Sequence, residues 1–419
     1  MHGVHPNNSP MFFTRSPQSV LAGIALCALT PALTAVASDA FDPPALYLTW
    51  QRDPTTTMTI LWQTVDEAKT EVYFRLVGST NAWKATSGEQ RPLPGSVRMM
   101  HAVELTGLLS KTDYEFCFWP GERAFRFRTM PKDLSQPVRF VSGGDVYHER
   151  KWMDAMNELA GRLDPAFVVF GGDLAYACSS ADKVEKMDRW DAYFDSWKQK
   201  ARTPDGRLVP MIVTIGNHEV LGSLYQPPER AAAYYALFPM PGPQGYNVLD
   251  FGNYLSLFLL DSAHTHPIEG EQTAWLEQTL AKRRRVPHLF PVYHVPAWPS
   301  YRSDEKGESA KLNHKIREHW SPLFEKYGVK VAFEHHDHTF KRTLPIRRGQ
   351  IDPKGITYLG DGAWGVNLRK PDPDKPRWFI AKAGMVRHLY LVTLYPKSRH
   401  VLAINENGQI FDEVYQEVD

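Results

Sequence analysis

The sharpest constraint on this chain lies in residues 140–219. There three short apolar runs each end in an acidic or amide-bearing tip: VSGGDVYH, VVFGGDLAYA and MIVTIGNHE. Short runs of β-branched and aromatic residues predict buried strands, here over 140–142, 167–170 and 211–215. The stretches between them carry helical spacing, as in Trp152, Met153, Met156, Leu159 and Leu163. Strands alternating with helices predict a mainly parallel sheet. In such folds the tips beyond the strands converge at one edge, where ligands bind. Asp145, Asp173, Asn217 and His218 are therefore expected together, as the outline of a metal site.

Upstream, Arg15 precedes an apolar run over 20–37 that ends in Ala35-Val36-Ala37. A positive flank, a short apolar stretch and small terminal residues are the pattern of a secretory signal peptide. Residues 1–37 are thus expected to be a cleaved leader and the mature chain to be secreted or periplasmic. A retained anchor is the alternative, because the run approaches the length of a membrane span. Leu26 is too large for a lipoprotein box before Cys27, and no later stretch is apolar enough to cross a bilayer. Past the leader only Cys117 and Cys178 remain. They are too few for a disulfide-built scaffold, so packing must supply the core; both are expected to be buried free thiols. With 48 basic and 47 acidic residues and a formal net charge of +1, the chain has no electrostatic footprint for nucleic acid. The basic run over 282–285 sits at a predicted helix end, where cations suit the dipole.

Over 43–131 the pattern changes. ALYLTWQ, TMTILWQT, TEVYFRLV, MMHAVELTGL, TDYEFCFW and AFRFRT alternate over short spans, with turn residues between them and no helical window. That predicts a β-sandwich. LTGLLSKTDYEF is similar to the corner of a fibronectin type III-like domain; the similarity makes Tyr114 the corner tyrosine, its hydroxyl bonded to backbone upstream. Residues 130–137, bearing Pro131 and Pro137, are the expected linker to a second domain over 138–419. The sandwich is either a carbohydrate- or protein-binding module or a rigid support. No exposed aromatic cluster is evident, which favours support.

In the second domain Asp145 and Asp173 each follow a glycine pair that permits a tight turn. Taken singly, each is an ordinary capping or turn residue. Gly216-Asn217-His218-Glu219 at the next strand end, and Val292-Tyr293-His294 after another apolar run, weaken that reading. A further predicted strand over 329–333 leads into VAFEHHDHTFKR, a histidine cluster that core packing does not explain. Imidazole with carboxylate suits iron, zinc or manganese. Two carboxylates, an amide oxygen and three imidazoles exceed one tetrahedral zinc. They suit two ions about 3.5–4 Å apart that share a carboxylate.

The series GD, GDLAY, GNHE, a lone His and HxHTFKR resembles the calcineurin-like metallophosphoesterases, and within them the purple acid phosphatases, over nearly the whole mature chain. The resemblance implies an all-β fibronectin III-like sandwich followed by an α/β domain layered α/β/β/α, with the metal site at strand ends. It implies Asp145, Tyr176 and His338 on a first metal, Asp173 as the bridging carboxylate, and Asn217, His294 and His336 on a second. Tyr176 would bind Fe(III) as tyrosinate, beside Fe(II), Zn(II) or Mn(II); alone it would be an ordinary aromatic neighbour. His218 resembles the family residue that contacts substrate and assists the leaving group. There are departures from the pattern. His335 stands where the family's G-H-x-H has glycine, and TFKR stands where many members have a tyrosine and an acidic residue before the arginine. Spacing back from Arg342 keeps His336 and His338 as the ligand pair. Tyr147 fills a position that is commonly small in the purple enzymes and commonly histidine in the wider family, leaving the first metal without that imidazole.

The implied function is a secreted acid phosphatase for phosphate monoesters. In it two cations bind a phosphate oxygen and lower the pKa of a coordinated water for in-line attack on phosphorus. A phosphodiesterase or nucleotide hydrolase with zinc or manganese is one alternative, and a non-catalytic cell-envelope binding protein another; the complete ligand series argues against the latter. The expected partner is a small phosphorylated substrate, with no nucleic acid and no membrane beyond the leader. GEQTAWLEQTL predicts an amphipathic helix. GDGAWG, residues 360–365, predicts a tight turn near the metal edge rather than a phosphate cradle, because no P-loop lysine and serine accompany it. The last segments predict a β-hairpin turning at Asn407-Gly408. His264, His266, Trp298 and Tyr301 fall in loops near the ligand-bearing strand ends and are candidates to shape the pocket.

Overall fold

Alternating apolar residues build the first part as two antiparallel sheets. One runs, in spatial order, Leu46–Thr49, Met58–Thr64, Met99–Leu105 and Glu89–Pro92; the other runs Lys84–Ser87, Glu71–Leu76, Asp113–Cys117 and Phe125–Arg128. Leu48, Ile60, Trp62, Val72, Phe116 and Phe127 pack in a common core. The Tyr114 hydroxyl accepts the backbone N–H of Leu109 at 2.9 Å, closing the corner. The computed structural model of the protein describes residues 41–65 and 68–418; the expected leader lies outside them. Among the described residues no helix is long and apolar enough to cross a membrane.

The second part holds two mixed sheets face to face. In the first, Met211–Val213, Val168–Phe170 and Val138–Gly143 are parallel neighbours, followed by His388–Tyr395, Ser398–Asn405 and Ile410–Glu417 in antiparallel order. In the second, Leu255–Leu259, His288–Val292, Val331–Phe333 and Thr357–Gly360 are parallel, and Asn247–Phe251, Phe340–Thr343 and Ile380–Gly384 pair antiparallel at the flanks. The strands Val168–Phe170 and Met211–Val213 are shorter than the predicted 167–170 and 211–215, whereas Val138–Gly143 is longer than the predicted 140–142. The C-terminal segments make a three-stranded meander rather than a lone hairpin, with Gly408 at φ +77° in its last turn.

The period of two along each strand decides the layers. Phe140, Val169, Leu257, Leu259, Phe290 and Phe333 point between the sheets. Val141, Val168 and Phe170 face outward onto helices Arg150–Arg162 and Met187–Lys200, meeting Met153, Met156 and Trp190. Phe258, Leu289 and Ala332 face helices Glu271–Ala281 and Glu308–His319 through Leu276, Leu312 and Ile316. The result is helix, sheet, sheet, helix. Cys117 and Cys178 are buried and unbridged.

Candidate metal centre

Five loops meet where parallel strands of both sheets end. Asp145 follows the strand ending at Gly143, Asp173 the strand ending at Phe170, and Asn217 the strand ending at Val213. From the other sheet, His294 follows Val292, and His336 and His338 follow Phe333. Backbone hydrogen bonds lace the loops together: Asp145 N–H to Gly172 O, Val146 N–H to Asp173 O, Gly365 N–H to Asp145 O and His338 N–H to Asp361 O. The turn at 360–365 thus lies against Asp145. A Cβ on Gly362, whose φ is +66°, would stand 1.6 Å from the Asp145 carboxylate, so only glycine fits there.

Two buried groups of donor atoms result, Asp145–Asp173–His338 and Asp173–His294–His336, each with its atoms within 4.8 Å of one another. Asp173 belongs to both. Asn217 Oδ1 lies 3.1 Å from His294 Nε2, and the Tyr176 hydroxyl lies 3.1 Å from Asp145 Oδ1 and 3.0 Å from His338 Nε2. The seven residues expected as ligands are therefore together, in two groups joined by one carboxylate.

The chemistry of this donor set fits cations. His294 Nδ1 lies 2.9 Å from Gly171 O and His338 Nδ1 3.2 Å from Asn367 O. Each carbonyl accepts the N–H, which turns the other ring nitrogen inward as a donor atom, the usual device behind a metal-bound histidine. Inside, His294 Nε2 meets His336 Nδ1 at 3.0 Å, and His338 Nε2 meets Asp145 Oδ1 at 3.0 Å. Lone pairs so placed repel unless a cation or a proton lies among them. Burial alone would lower the His294 pKa, but the Asp173 carboxylate, 3.2 Å away, raises it to about 9. Burial and the Asp145 charge hold the Tyr176 hydroxyl well above its ordinary value. Protons thus occupy positions that metals would take.

The other expected residues divide. His218 donates its N–H to Asp173 Oδ1 at 2.8 Å, lays its ring 4.2 Å from that of Tyr176, and turns Nδ1 to Cys178 O. Its half-buried Nε2 is left facing the centre, 4.0 Å from Asp173 Oδ2. His335 lies behind the site: Nδ1 bonds Tyr293 O at 2.8 Å and the ring fills the space over Gly144 and Gly171. His264 is buried, with its ring 5.5 Å from that of His294. His266 faces Asp261 and Tyr246, and Trp298 is buried beneath Arg317. Tyr301 is exposed.

Several residues carry more than their sequence positions suggest. Glu219 is fully buried and accepts the N–H groups of Asp173, Leu174 and Gly216, each at 2.8 Å, so it shapes two ligand loops at once. Its place in GNHE was the only signal. The residue after Tyr147 brings an imidazole near Tyr176 and His338, though it belongs to neither donor group. His148 stands 4.3 Å from the Tyr176 ring and 5.4 Å from that of His338, with Nδ1 accepting Asn367 N–H at 3.1 Å. Tyr147 turns away to stack under Arg189.

Comparisons with known proteins agree with this architecture. The family model for the purple acid phosphatase N-terminal domain matches residues 43–129, and that for calcineurin-like phosphoesterases matches 140–340. Purple acid phosphatase 21 of Arabidopsis thaliana is 28% identical over 66% of this chain and 62% of its own length. Acid phosphatase type 7 of Mus musculus is 24% identical over 89% of this chain and 90% of its own. The chain spans less than two thirds of the matched plant relatives, 62% of purple acid phosphatase 21 and 56% of purple acid phosphatase 15. A purple acid phosphatase from yellow lupin seeds shares the fold, with a TM-score of 0.75 at 17% identity over 90% of this chain and 76% of that one. The chain belongs to the purple acid phosphatase-like calcineurin-like phosphoesterases that carry this N-terminal domain.

Proposed function

We propose that the protein is a secreted acid phosphatase that hydrolyses phosphate monoesters at a dinuclear metal centre. The observation that carries this is the pair of donor groups joined at Asp173. Asp145, Tyr176 and His338 would hold Fe(III), and Asn217, His294 and His336 would hold Fe(II), Zn(II) or Mn(II), with Asp173 between them. When bound, the two cations neutralise phosphate charge and make a water nucleophilic below neutral pH. The chain's part is to fix and exclude. Burial keeps bulk water from the donors, Glu219 orients the Asp173 loop, and carbonyls behind His294 and His338 set their tautomers. His218, with Nδ1 occupied at Cys178 O, presents Nε2 to a phosphate oxygen or to the departing alkoxide, where it supplies a proton. The leader expected over residues 1–37 supports export.

The test is a visible spectrum with metal content, followed by rates on p-nitrophenyl phosphate and bis(p-nitrophenyl) phosphate from acid to neutral pH. Two metals, a broad band that Tyr176→Phe abolishes, and preference for the monoester at acid pH are expected. Two metals without colour and a preference for the bis-ester would replace this reading with a zinc or manganese phosphodiesterase. A chain that retains no metal after reconstitution would leave a binding protein.

A further inference from the structure

Two guanidinium groups converge beside the centre on one backbone carbonyl, that of His336. Arg302 bonds it through Nη1, and Arg369 Nη1 lies 3.5 Å from it, at the outer limit of a hydrogen bond. Arg302 has a counter-charge in Asp337, 3.0 Å away. That carboxylate also accepts the N–H groups of Ser300, Tyr301 and Arg302. Arg369 has no carboxylate within ion-pair distance among the described residues. It lies over the exposed Tyr301 ring at 5.4 Å. Arg377 bonds the carbonyls of Pro299, Tyr301 and Arg302, which fixes the loop that presents Arg302. The segment bearing Arg369 is fixed too, by Arg369 N–H to His338 O at 3.0 Å.

Three guanidiniums against one carboxylate leave an excess of positive charge at the rim, beside a centre that would itself carry cations. Arg302 and Arg369 meet at the one carbonyl of His336, and an anion placed between the two guanidiniums relieves their mutual repulsion. A planar fork of N–H donors matches the oxygens of a phosphate. A purely structural clamp on the His336 carbonyl needs neither the second arginine nor its long contact.

We propose that Arg302 and Arg369 form a second anion subsite that takes a phosphate carried by the leaving group, so that the preferred substrates are diphosphates or bisphosphates. The inference rests on the phosphatase reading and deepens it. The scissile phosphate sits at the metals, and the second phosphate rests on the arginines beyond His336.

The experiment compares the metal-reconstituted wild type with Arg369→Gln and Arg369→Lys. Calorimetry measures binding of methylenediphosphonate and of methylphosphonate, with metal content checked afterwards, and kcat/KM is measured for pyrophosphate and for p-nitrophenyl phosphate. The ratio of diphosphonate to monophosphonate affinity, and the ratio of the two kcat/KM values, should each fall about tenfold or more in Arg369→Gln, with partial recovery in Arg369→Lys. A loss shared equally by both ligands, or no change in either ratio, overturns the subsite. Should the glutamine variant fail to fold, the lysine variant and Arg302→Gln carry the same comparison. Wild type that hydrolyses neither substrate refutes the phosphatase reading, while the phosphonate ratios still decide the subsite.

Discussion

At the scale of single residues, the centre is held by strained backbone. Asp145, Asp173, Tyr176, His336 and His338 all have positive φ, between 53° and 80°. Each such non-glycine residue costs about 1 kcal/mol or more and persists only where its surroundings impose it. Here the laced loops and Glu219 do so. The same residues compete for protons. The His294 pKa, ordinarily near 6.5 and raised to about 9 by Asp173 against the effect of burial, keeps a proton on the metal-free site at neutral pH. Because the folded value lies above the unfolded one, this proton stabilises the metal-free fold fully below pH about 6.5. That contribution is lost as pH rises through about 9. A metal must displace the proton, so binding below pH 9 releases it. Calorimetric titration of Zn(II) into chelator-treated protein at pH 7, in two buffers of different ionisation enthalpy, should report release of the Tyr176 proton, where Tyr176 binds as tyrosinate, and of the proton on His294. Release from His294 should fade above pH 9, and buffer-independent heats at pH 7 would contradict the assignment.

At the scale of elements, the departure from the family pattern at TFKR has a structural reason. Lys341, on strand Phe340–Thr343, is fully buried and pairs with Glu334 at 2.5 Å and Asp361 at 2.6 Å. Glu334 in turn accepts from Tyr293 and from the N–H of Ala297. One ammonium thereby ties the strand to the histidine loop and to the turn that abuts Asp145. Lys341→Met should strand two buried carboxylates and lower stability by about 3–5 kcal/mol, read by chemical denaturation; a loss below about 1 kcal/mol would show that the network is not needed. Elements of this kind explain what the sequence disclosed. Asp145, Asp173, Asn217 and His294 were legible because each directly follows an apolar run, and that adjacency survives folding. His148 was not, because only the turn at Val146 decides whether Tyr147 or its neighbour faces Tyr176. Arg302 and Arg369 were silent for another reason. They lie far apart in sequence, and only the fold brings both to the carbonyl of His336.

At the scale of the whole molecule, the sandwich and the α/β part share one core. Trp50, fully buried, meets the rings of Phe167 and Phe251 at 6.0 and 5.8 Å. Tyr47 stacks on Phe194 at 4.4 Å and donates its hydroxyl to Leu237 O. Leu208 N–H bonds Arg126 O, and Arg98 pairs with Asp191. Phe167 and Leu208 precede the strands Val168–Phe170 and Met211–Val213, whereas the candidate ligands follow those strands. The sandwich thus braces strand starts while the chemistry sits at strand ends, which is the geometry of a support. A continuous core of this kind leaves no boundary at which one part can unfold while the other keeps its apolar surface covered. The protein should therefore melt in a single calorimetric transition, with van't Hoff and calorimetric enthalpies equal. Removing metal should lower that one transition without splitting it, since ligands that bind only the folded state stabilise it by mass action. Trp50→Ala should cost about 3–5 kcal/mol and lower the temperature at which the proposed phosphatase activity is lost, although Trp50 touches the end of the strands opposite the candidate metal ligands. Two resolved transitions in the wild type, or activity that outlasts melting of the sandwich, would instead show that the second part stands alone.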